Sequence, residues 1–314
     1  MFANKHYVLA IMEEGSFSKA AEKLYISQPS LSASIKRIEE KISVPLFNRS
    51  TSPVTLTEAG EEYVRHALEI EATEKNFERY IYDYANLLTG SVRIGGSSLF
   101  SSFMLPSMIY EFKKIYPNIK FEVSEDSTKN LIQKLVLGGI DIIIDNAVID
   151  DPAINSTIYS NEMLLLAVPA SYDINEKFKN FRFTANDIKN GTHMTNNSAV
   201  SLKAFSGYPF ILLNPENDTG RRANLLFKKH KIEPETVFFL DQQVTAYNVS
   251  VTGMGISFVS DTLVKHTEAE SKLYYYKLND EEILRNIYFC KKQNHYLSRA
   301  CQEFIDFNTK LICN

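Results

Sequence analysis

The 314-residue sequence has no tryptophan and only three cysteines, Cys290, Cys301 and Cys313. All three lie near the C-terminus without metal-ligand spacing, which argues against a disulfide scaffold or a zinc framework and for reduced thiols. No apolar run approaches the roughly 20 residues needed to span a bilayer. The opening MFANKHYVLAIMEEG has too short an apolar stretch, and reaches acidic residues too soon, for a signal peptide. A cytoplasmic protein that does not enter the membrane is expected. Charge of one sign is scarce as well: the net charge is −4, which excludes a uniformly basic nucleic-acid coat but allows a local patch. The usual enzyme signatures are missing too. No GxGxxG follows a strand, there is no GxxxxGK[ST] and no HExxH, and GSSLFSS lacks the G-x-S-x-G elbow. The six histidines, His6, His66, His193, His230, His266 and His295, are scattered, and none pairs at ligand spacing with another His or Cys. Neither a catalytic site nor a metal nor a resident cofactor is expected.

What is present is an ordinary globular composition, 44% hydrophobic and 23% charged, long enough for about two or three domains. Helical periodicity covers Asn4 to Glu14 and Gly15 breaks it. A short helix follows in SFSKAAEKL, with Ser18 as its cap and Ala20, Ala21 and Leu24 facing inward. After the turn YISQ, a helix capped by Ser27 carries Pro29 in its first turn, where a missing N–H does no harm. Its apolar residues Leu31, Ile35, Ile38 and Ile42 form one buried stripe. Gln28, Ser30, Ser32, Ala33, Lys36 and Arg37 are left on other faces. Small polar groups at a helix N-terminus can approach base edges, and Gln can pair with adenine. Leu46 to Asn48 and Val54 to Leu56 flank a polar tip holding Arg49, Ser50, Thr51, Ser52 and Pro53, and so form a β-wing. Helix, helix, turn, helix, wing is the order of a winged helix-turn-helix. Charge alone does not decide the matter, because residues 1–60 hold seven Lys and Arg against six Glu.

The stretch from Gly15 to Gly60, through AAxxL, SQPSLS, the I-x-x-I-E run, PLF-x-R and LT-x-AG, resembles the DNA-binding domain of LysR-type transcriptional regulators. The resemblance implies that the SQPSLS helix enters the major groove of double-stranded DNA. The DNA-contacting candidates are then Ser27, Gln28, Pro29, Ser30, Ser32, Lys36 and Arg37, with Arg49, Ser50 and Thr51 of the wing on the backbone or minor groove. Many members have an Arg where this chain has Ala33, so one base contact differs.

From Thr57 to about Leu88 no Pro or Gly follows Gly60, and Tyr63, Ala67, Ile70, Glu74, Phe77, Ile81, Tyr84 and Leu88 form a heptad stripe that is apolar apart from Glu74. A long helix lying on its own domain is the plain alternative. The resemblance favours a linker that pairs two subunits antiparallel, so Tyr63, Ala67, Ile70, Phe77, Ile81, Tyr84 and Leu88 are the dimerisation candidates.

Beyond Gly90, strands alternate with helices, which implies βαβ units. SVRIGG, IKFEVSE, IDIIID, MLLLAVP, YPFILL, TVFFLD and GMGISFVS read as strands. Near Leu273 the chain is expected to re-enter the first lobe with LYYYKL and RNIYFCKK. GSVRIGGSS, LVLGGIDIIID and VTGMGISFVS look like the LysR-type effector domain, which implies a two-lobed α/β periplasmic-binding-protein-like fold. The expected domains are residues 1–58 (winged helix-turn-helix), 59–89 (linker) and 90–314 (effector domain), with lobe I at about 90–162 and 266–314 and lobe II at about 163–265. A small-molecule effector is expected between the lobes. Ser97 and Ser98 precede a helix, where hydroxyls and free N–H groups can hold an anion, or can simply cap. Ser127 and Thr128 stand likewise, and Thr219 in NPENDTGR occupies a similar place in the second lobe. Asp145 and Asn146 end a strand where some members of the family carry a basic residue. An acid there disfavours a carboxylate and suits an amine or hydroxyl, unless it is merely a solvated strand end. The whole implies a homodimeric or homotetrameric regulator working on a palindromic site with RNA polymerase. The alternative is a small-molecule-binding module without specific DNA binding.

Overall fold

The computed structural model describes residues 1–85, 90–268, 271–293 and 296–313. Leu88 and His295, and the side chains of Tyr84 and Cys313, lie outside the described residues. The chain divides into two compact units, the first holding Met1–Ile81 and the second Tyr82–Val136 and Ile140–Asn314.

In the first unit, α1 (Lys5–Glu14) ends at Gly15, whose φ of 58° is the left-handed conformation a helix stop uses. The next helix, α2 (Phe17–Lys23), is capped by Ser16, whose hydroxyl accepts from the Lys19 amide at 3.4 Å. The expected cap, Ser18, lies within the helix; Ser16 wins because it has the extended backbone of a cap. The third helix, α3 (Gln28–Ile42), starts at Ser27, whose hydroxyl accepts from the Ser30 amide at 3.3 Å. Leu31, Ile35 and Ile38 are buried, each worth roughly 1.5–3 kcal/mol of transfer free energy. Strands β1 (Phe47–Asn48) and β2 (Thr55–Leu56) pair antiparallel as the wing. Then α4 (Glu58–Ala85) begins with the Thr57 hydroxyl accepting from the Gly60 amide at 3.0 Å.

Two dimerisation candidates are corrected here. Tyr63 and Ala67 are buried in this unit's own core, among Val8, Ile11, Leu31 and Leu46. The first turns of α4 close the three-helix core, and their apolar side chains are consumed by it. Further along, Ile70 is half-buried, Phe77 is 65% exposed and Ile81 is 49% exposed.

The second unit contains β3 (Gly90–Gly96), β4 (Ile119–Glu125), β5 (Ile142–Asp145), β6 (Ile154–Pro169), β7 (Arg182–Phe183), β8 (Phe210–Leu213), β9 (Thr236–Leu240), β10 (Ile256–Ser260), β11 (Leu273–Tyr276) and β12 (Leu284–Lys292). One lobe has the order β4-β3-β5-β12-β6, with β3 parallel to both β4 and β5. The other runs β6-β10-β8-β9, with β8 parallel to β9 and β10. Strand β6 serves both: Ile154 to Met163 pair with β12, and Leu164 to Ala167 pair with β10. The segment MLLLAVP is buried throughout, as expected of a strand covered on both faces.

LYYYKL is a second correction. Its residues Leu273 to Tyr276 pair with Pro169 to Leu166 and with β7, inside the second lobe. Tyr275 and Tyr276 are fully buried there, and the Tyr276 hydroxyl donates to Asn175 Oδ1 at 2.9 Å. A short apolar strand does not reveal which of two sheets it joins, and the return to the first lobe comes with β12. The expected helix from Phe100 to Ile115 opens with a π-turn, Phe100–Met104, before the α-helix Leu105–Ile115. Among the described residues no helix is long and apolar enough to cross a membrane.

Candidate nucleic-acid interface and effector cleft

In the first unit, the N-terminal turn of α3 presents Ser27, Gln28, Pro29 and Ser30 to solvent, with Ser32 half-buried behind them. The Gln28 amide donates to Ser32 Oγ at 3.3 Å, which holds both side chains on one flank. Lys36 and Arg37 are exposed further along. Lys36 lies 3.7 Å from Glu40. Arg37 has no ion-pair partner among the described residues. The position of Ala33 is exposed too, so the missing Arg is a missing surface contact rather than a filled core site.

The wing differs from the simple expectation of a free arginine. Arg49 donates to Glu39 Oε2 at 2.8 Å and lies over the Phe17 ring at 5.1 Å, while the other Glu39 oxygen accepts from the Leu46 amide at 2.9 Å. One acid of α3 thus ties the wing to that helix. The Arg49 side chain as a whole stays 47% exposed. Ser50 and Thr51 are exposed at the tip, where the Thr51 hydroxyl donates to the Asn48 carbonyl at 2.9 Å.

In the second unit, Ser97, Ser127 and Thr128 of one lobe and Asn214, Asn217, Asp241 and Gln242 of the other line a cavity of about 360 Å³, together with Lys129, Pro215 and Glu216. Helical turns start at its wall. The Ser97, Ser127, Asn217 and Gln242 carbonyls accept from the amides of Ser101, Leu131, Arg221 and Ala246, four residues on in each case. Helix starts carry positive partial charge. Lys129 adds a full positive charge, while Glu216 and Asp241 oppose it. Gly220 explains the close approach on the second-lobe side. A Cβ there would lie 2.4 Å from the carbonyl oxygens of both Leu213 and Asn214, so only a glycine lets the helix Asp218–His230 sit on the end of β8.

Ser98 does not line the cavity; its hydroxyl donates to Gln242 Oε1 at 2.6 Å and ties the lobes together. Asp145, Asn146 and Thr219 are all buried, which corrects their expected place on the cavity wall. Asp145 is not a solvated strand end. Its carboxylate accepts from the Thr128 hydroxyl and the Ala147 amide, each at 2.8 Å, and burial pushes the carboxyl above the ordinary range. Asn146 donates to Glu162, and Thr219 Oγ1 accepts from Arg285 at 2.9 Å and from Gln243 at 3.1 Å.

Arg285 is the centre of this buried layer. It donates to Glu162 at 2.6 Å and to Asp218 at 3.0 Å. Burial pushes the Asp218 carboxyl upward, but the Arg285 and Arg222 guanidiniums outweigh it and hold it below the ordinary range. Sequence reasoning missed Arg285, Glu162, Gln242 and Gln243. The signal available was a lone charge at the mouth of each apolar run, Glu162 before MLLLAVP and Arg285 in LRNIYF. These two residues are direct cross-strand partners on β6 and β12.

Comparison with known proteins agrees with both halves. Residues 3–61 match the family model described as bacterial regulatory helix-turn-helix protein, lysR family, and residues 85–311 match the LysR substrate binding domain. The transcriptional regulator BenM of Acinetobacter baylyi is 31% identical over 255 residues, covering 81% of this chain and 78% of that one. A probable RuBisCO transcriptional regulator of Gracilaria tenuistipitata var. liui is 28% identical over 305 residues, covering 94% and 91%. Two solved structures share the fold. Full-length CbnR in complex with its target DNA has a TM-score of 0.69 at 17% identity, covering 99% of each chain. A single-residue variant of full-length OxyR from Pseudomonas aeruginosa has a TM-score of 0.70 at 19% identity, covering 99% of this chain and 95% of that one. With an N-terminal turn of α3 that the core does not use, a two-lobed domain enclosing a polar cavity, and both family models matched along its length, the chain belongs to the LysR family of DNA-binding transcriptional regulators.

Proposed function

We propose that the chain acts in the cytoplasm as a homo-oligomer that reads a palindromic operator through α3 and answers to a small polar effector held between the lobes. The observation that carries the reading is the exposed polar start of α3, Ser27, Gln28, Pro29 and Ser30, which is not part of its own unit's core. Gln28 and Ser30 supply base contacts, and Arg49 with the wing tip supplies phosphate contacts. A dimer is supported by Phe77 and Ile81, exposed on α4 past the part its core consumes. Val237, Phe238 and Phe239, exposed on the edge strand β9, favour further self-association. RNA polymerase is the partner that follows for a regulator of transcription.

The effector is a hydrogen-bonding molecule that fits about 360 Å³, with an acidic group directed at Ser127 and Lys129 and hydroxyls toward Asn214 and Gln242. It acts by preferring one degree of lobe closure, since a ligand shifts an equilibrium only by its difference in affinity for the two states. The test is a footprint of the purified full chain on the DNA upstream of its own gene, with a salt titration and with Gln28→Ala. Protection of a dyad-symmetric stretch is expected, with a loss of about 1–3 kcal/mol for the variant at the specific site and relaxed preference at one base position. Equal weakening of specific and random DNA by Gln28→Ala would remove α3 from the major groove.

A further inference from the structure

The turn between α2 and α3 breaks a local rule. The Tyr25 amide donates to the Glu22 carbonyl at 3.1 Å and the Ile26 amide donates to the Ala21 carbonyl at 3.0 Å. That pair of bonds is the Schellman stop, in which the residue after the helix C-cap takes the left-handed conformation and is usually glycine. Here it is a tyrosine with φ of 55°. A bulky residue at positive φ is uncommon and strained. Among the described residues nothing offsets it, for Tyr25 is 96% exposed. Its neighbours Leu24 and Ile26 pack against the three-helix core on either side, so the direction of the tyrosine is set by the turn. A residue that violates local preference without a local gain points to a contact outside the fold.

We infer that Tyr25 is a DNA-backbone contact, its hydroxyl donating a hydrogen bond to a phosphate oxygen at the rim of the groove that α3 enters. Three observations converge on it. Tyr25 stands two residues before the Ser27 cap, beside the exposed Gln28, Pro29 and Ser30, so a duplex that receives this end of the helix brings a phosphate strand past the turn. Three of the cations near this surface are engaged within the unit: Lys23 is paired with Glu13 and Glu14, Lys36 lies by Glu40, and Arg49 is held by Glu39, so neutral donors such as a tyrosine hydroxyl add to the phosphate contacts that Arg37 can make. The left-handed turn fixes the residue's backbone direction before binding, which lowers the ordering cost.

The inference rests on α3 being the reading helix, and the experiment separates the two. Affinity of the full chain for its footprinted operator and for random duplex is measured across salt for Tyr25→Phe, Tyr25→Gly and Gln28→Ala, with thermal unfolding of each. Tyr25→Phe and Tyr25→Gly are expected to lose roughly tenfold on both duplexes alike, as for a lost hydrogen bond to a charged group. Their salt slopes should equal that of the wild type, because no cation is removed. Tyr25→Gly should unfold at the same temperature or higher, since glycine relieves the positive φ. Wild-type affinity for Tyr25→Phe, with Gln28→Ala still impaired at the operator, overturns the inference and leaves the reading of α3 standing. A Tyr25→Gly protein that unfolds earlier also overturns it, because the ring then has a role inside the fold. Weakening by Tyr25→Phe with no effect of Gln28→Ala supports the backbone contact and rejects the base contact.

Discussion

Arg285→Met isolates what one buried cation does for the two-lobed domain. Arg285, Glu162 and Asp218 have almost no solvent exposure, and the guanidinium bonds to both carboxylates and to Thr219. Removing it affects the two acids unequally. Asp218 keeps Arg221 and Arg222 as partners. Glu162 keeps only the Asn146 amide, and its second oxygen has no partner already. Breaking a buried pair by deleting one member costs about 3–5 kcal/mol, and nearly all of that should fall on Glu162. Adding Glu162→Gln to the variant removes the stranded charge. The double variant should then lie within about 1–2 kcal/mol of the wild type, because replacing a whole buried pair is often close to neutral. The assay is urea unfolding of the full chain by circular dichroism, with hydrogen exchange of the Leu164–Val168 amides reporting on the second unit. A double-mutant cycle gives the coupling directly. A cost below about 1 kcal/mol for Arg285→Met, or no recovery on adding Glu162→Gln, would refute the assignment of the penalty to an uncompensated buried carboxylate.

Gly60→Ala would set a Cβ 2.1 Å from the Leu46 carbonyl oxygen, so α4 must back away from the wing. A loss of about 1–3 kcal/mol in the first unit is expected, with weaker DNA binding, read by thermal unfolding and gel shift. Asp145 has its folded pKa raised by burial, so it opposes folding when ionised, and stability should rise as pH falls through that value. Asp145→Asn should be more stable than the wild type at pH 7, and the difference should shrink on acidification toward the ordinary carboxylate range, measured by unfolding from pH 7 downward. Burial pushes the Cys290 thiol up to about 11, and the Ser156 hydroxyl donates to its sulfur at 3.3 Å. In the folded chain at pH 8 Cys290 should resist iodoacetamide, and in urea it should react, as read by peptide mass spectrometry.

Helix α3 was legible from the sequence because everything that makes it is local. The Ser27 cap, Pro29 in the first turn and the stripe Leu31, Ile35, Ile38 lie within one short segment, and the polar flank is what remains. The same holds for the wing and for the buried run MLLLAVP. Where the reading failed, the competing partner was distant or the signal ambiguous. Ser16 and Ser18 are both plausible caps by residue type, and only backbone conformation separates them. The stripe on α4 is regular from Tyr63 to Ile81, yet its first part is claimed by the core of its own unit and its later part stays exposed.

The cleft divides in the same way. Ser97, Ser127 and Thr128 could be placed at its wall because a hydroxyl at a strand-to-helix junction is a local pattern. Asp145 and Asn146 at the end of β5, and Thr219 near a helix start, also looked like wall residues but sink beneath the surface, since Thr128, Glu162 and Arg285 reach over to bond them. The sequence by itself therefore determined the family, the order of elements and the flank of α3 that the core leaves exposed, all of which depend on spacing within a few turns of chain. Only the tertiary structure decided which polar groups face the cavity and which are locked below it. Glu162 and Arg285 are 123 residues apart and meet only when β6 and β12 pair, and no local propensity carries that information.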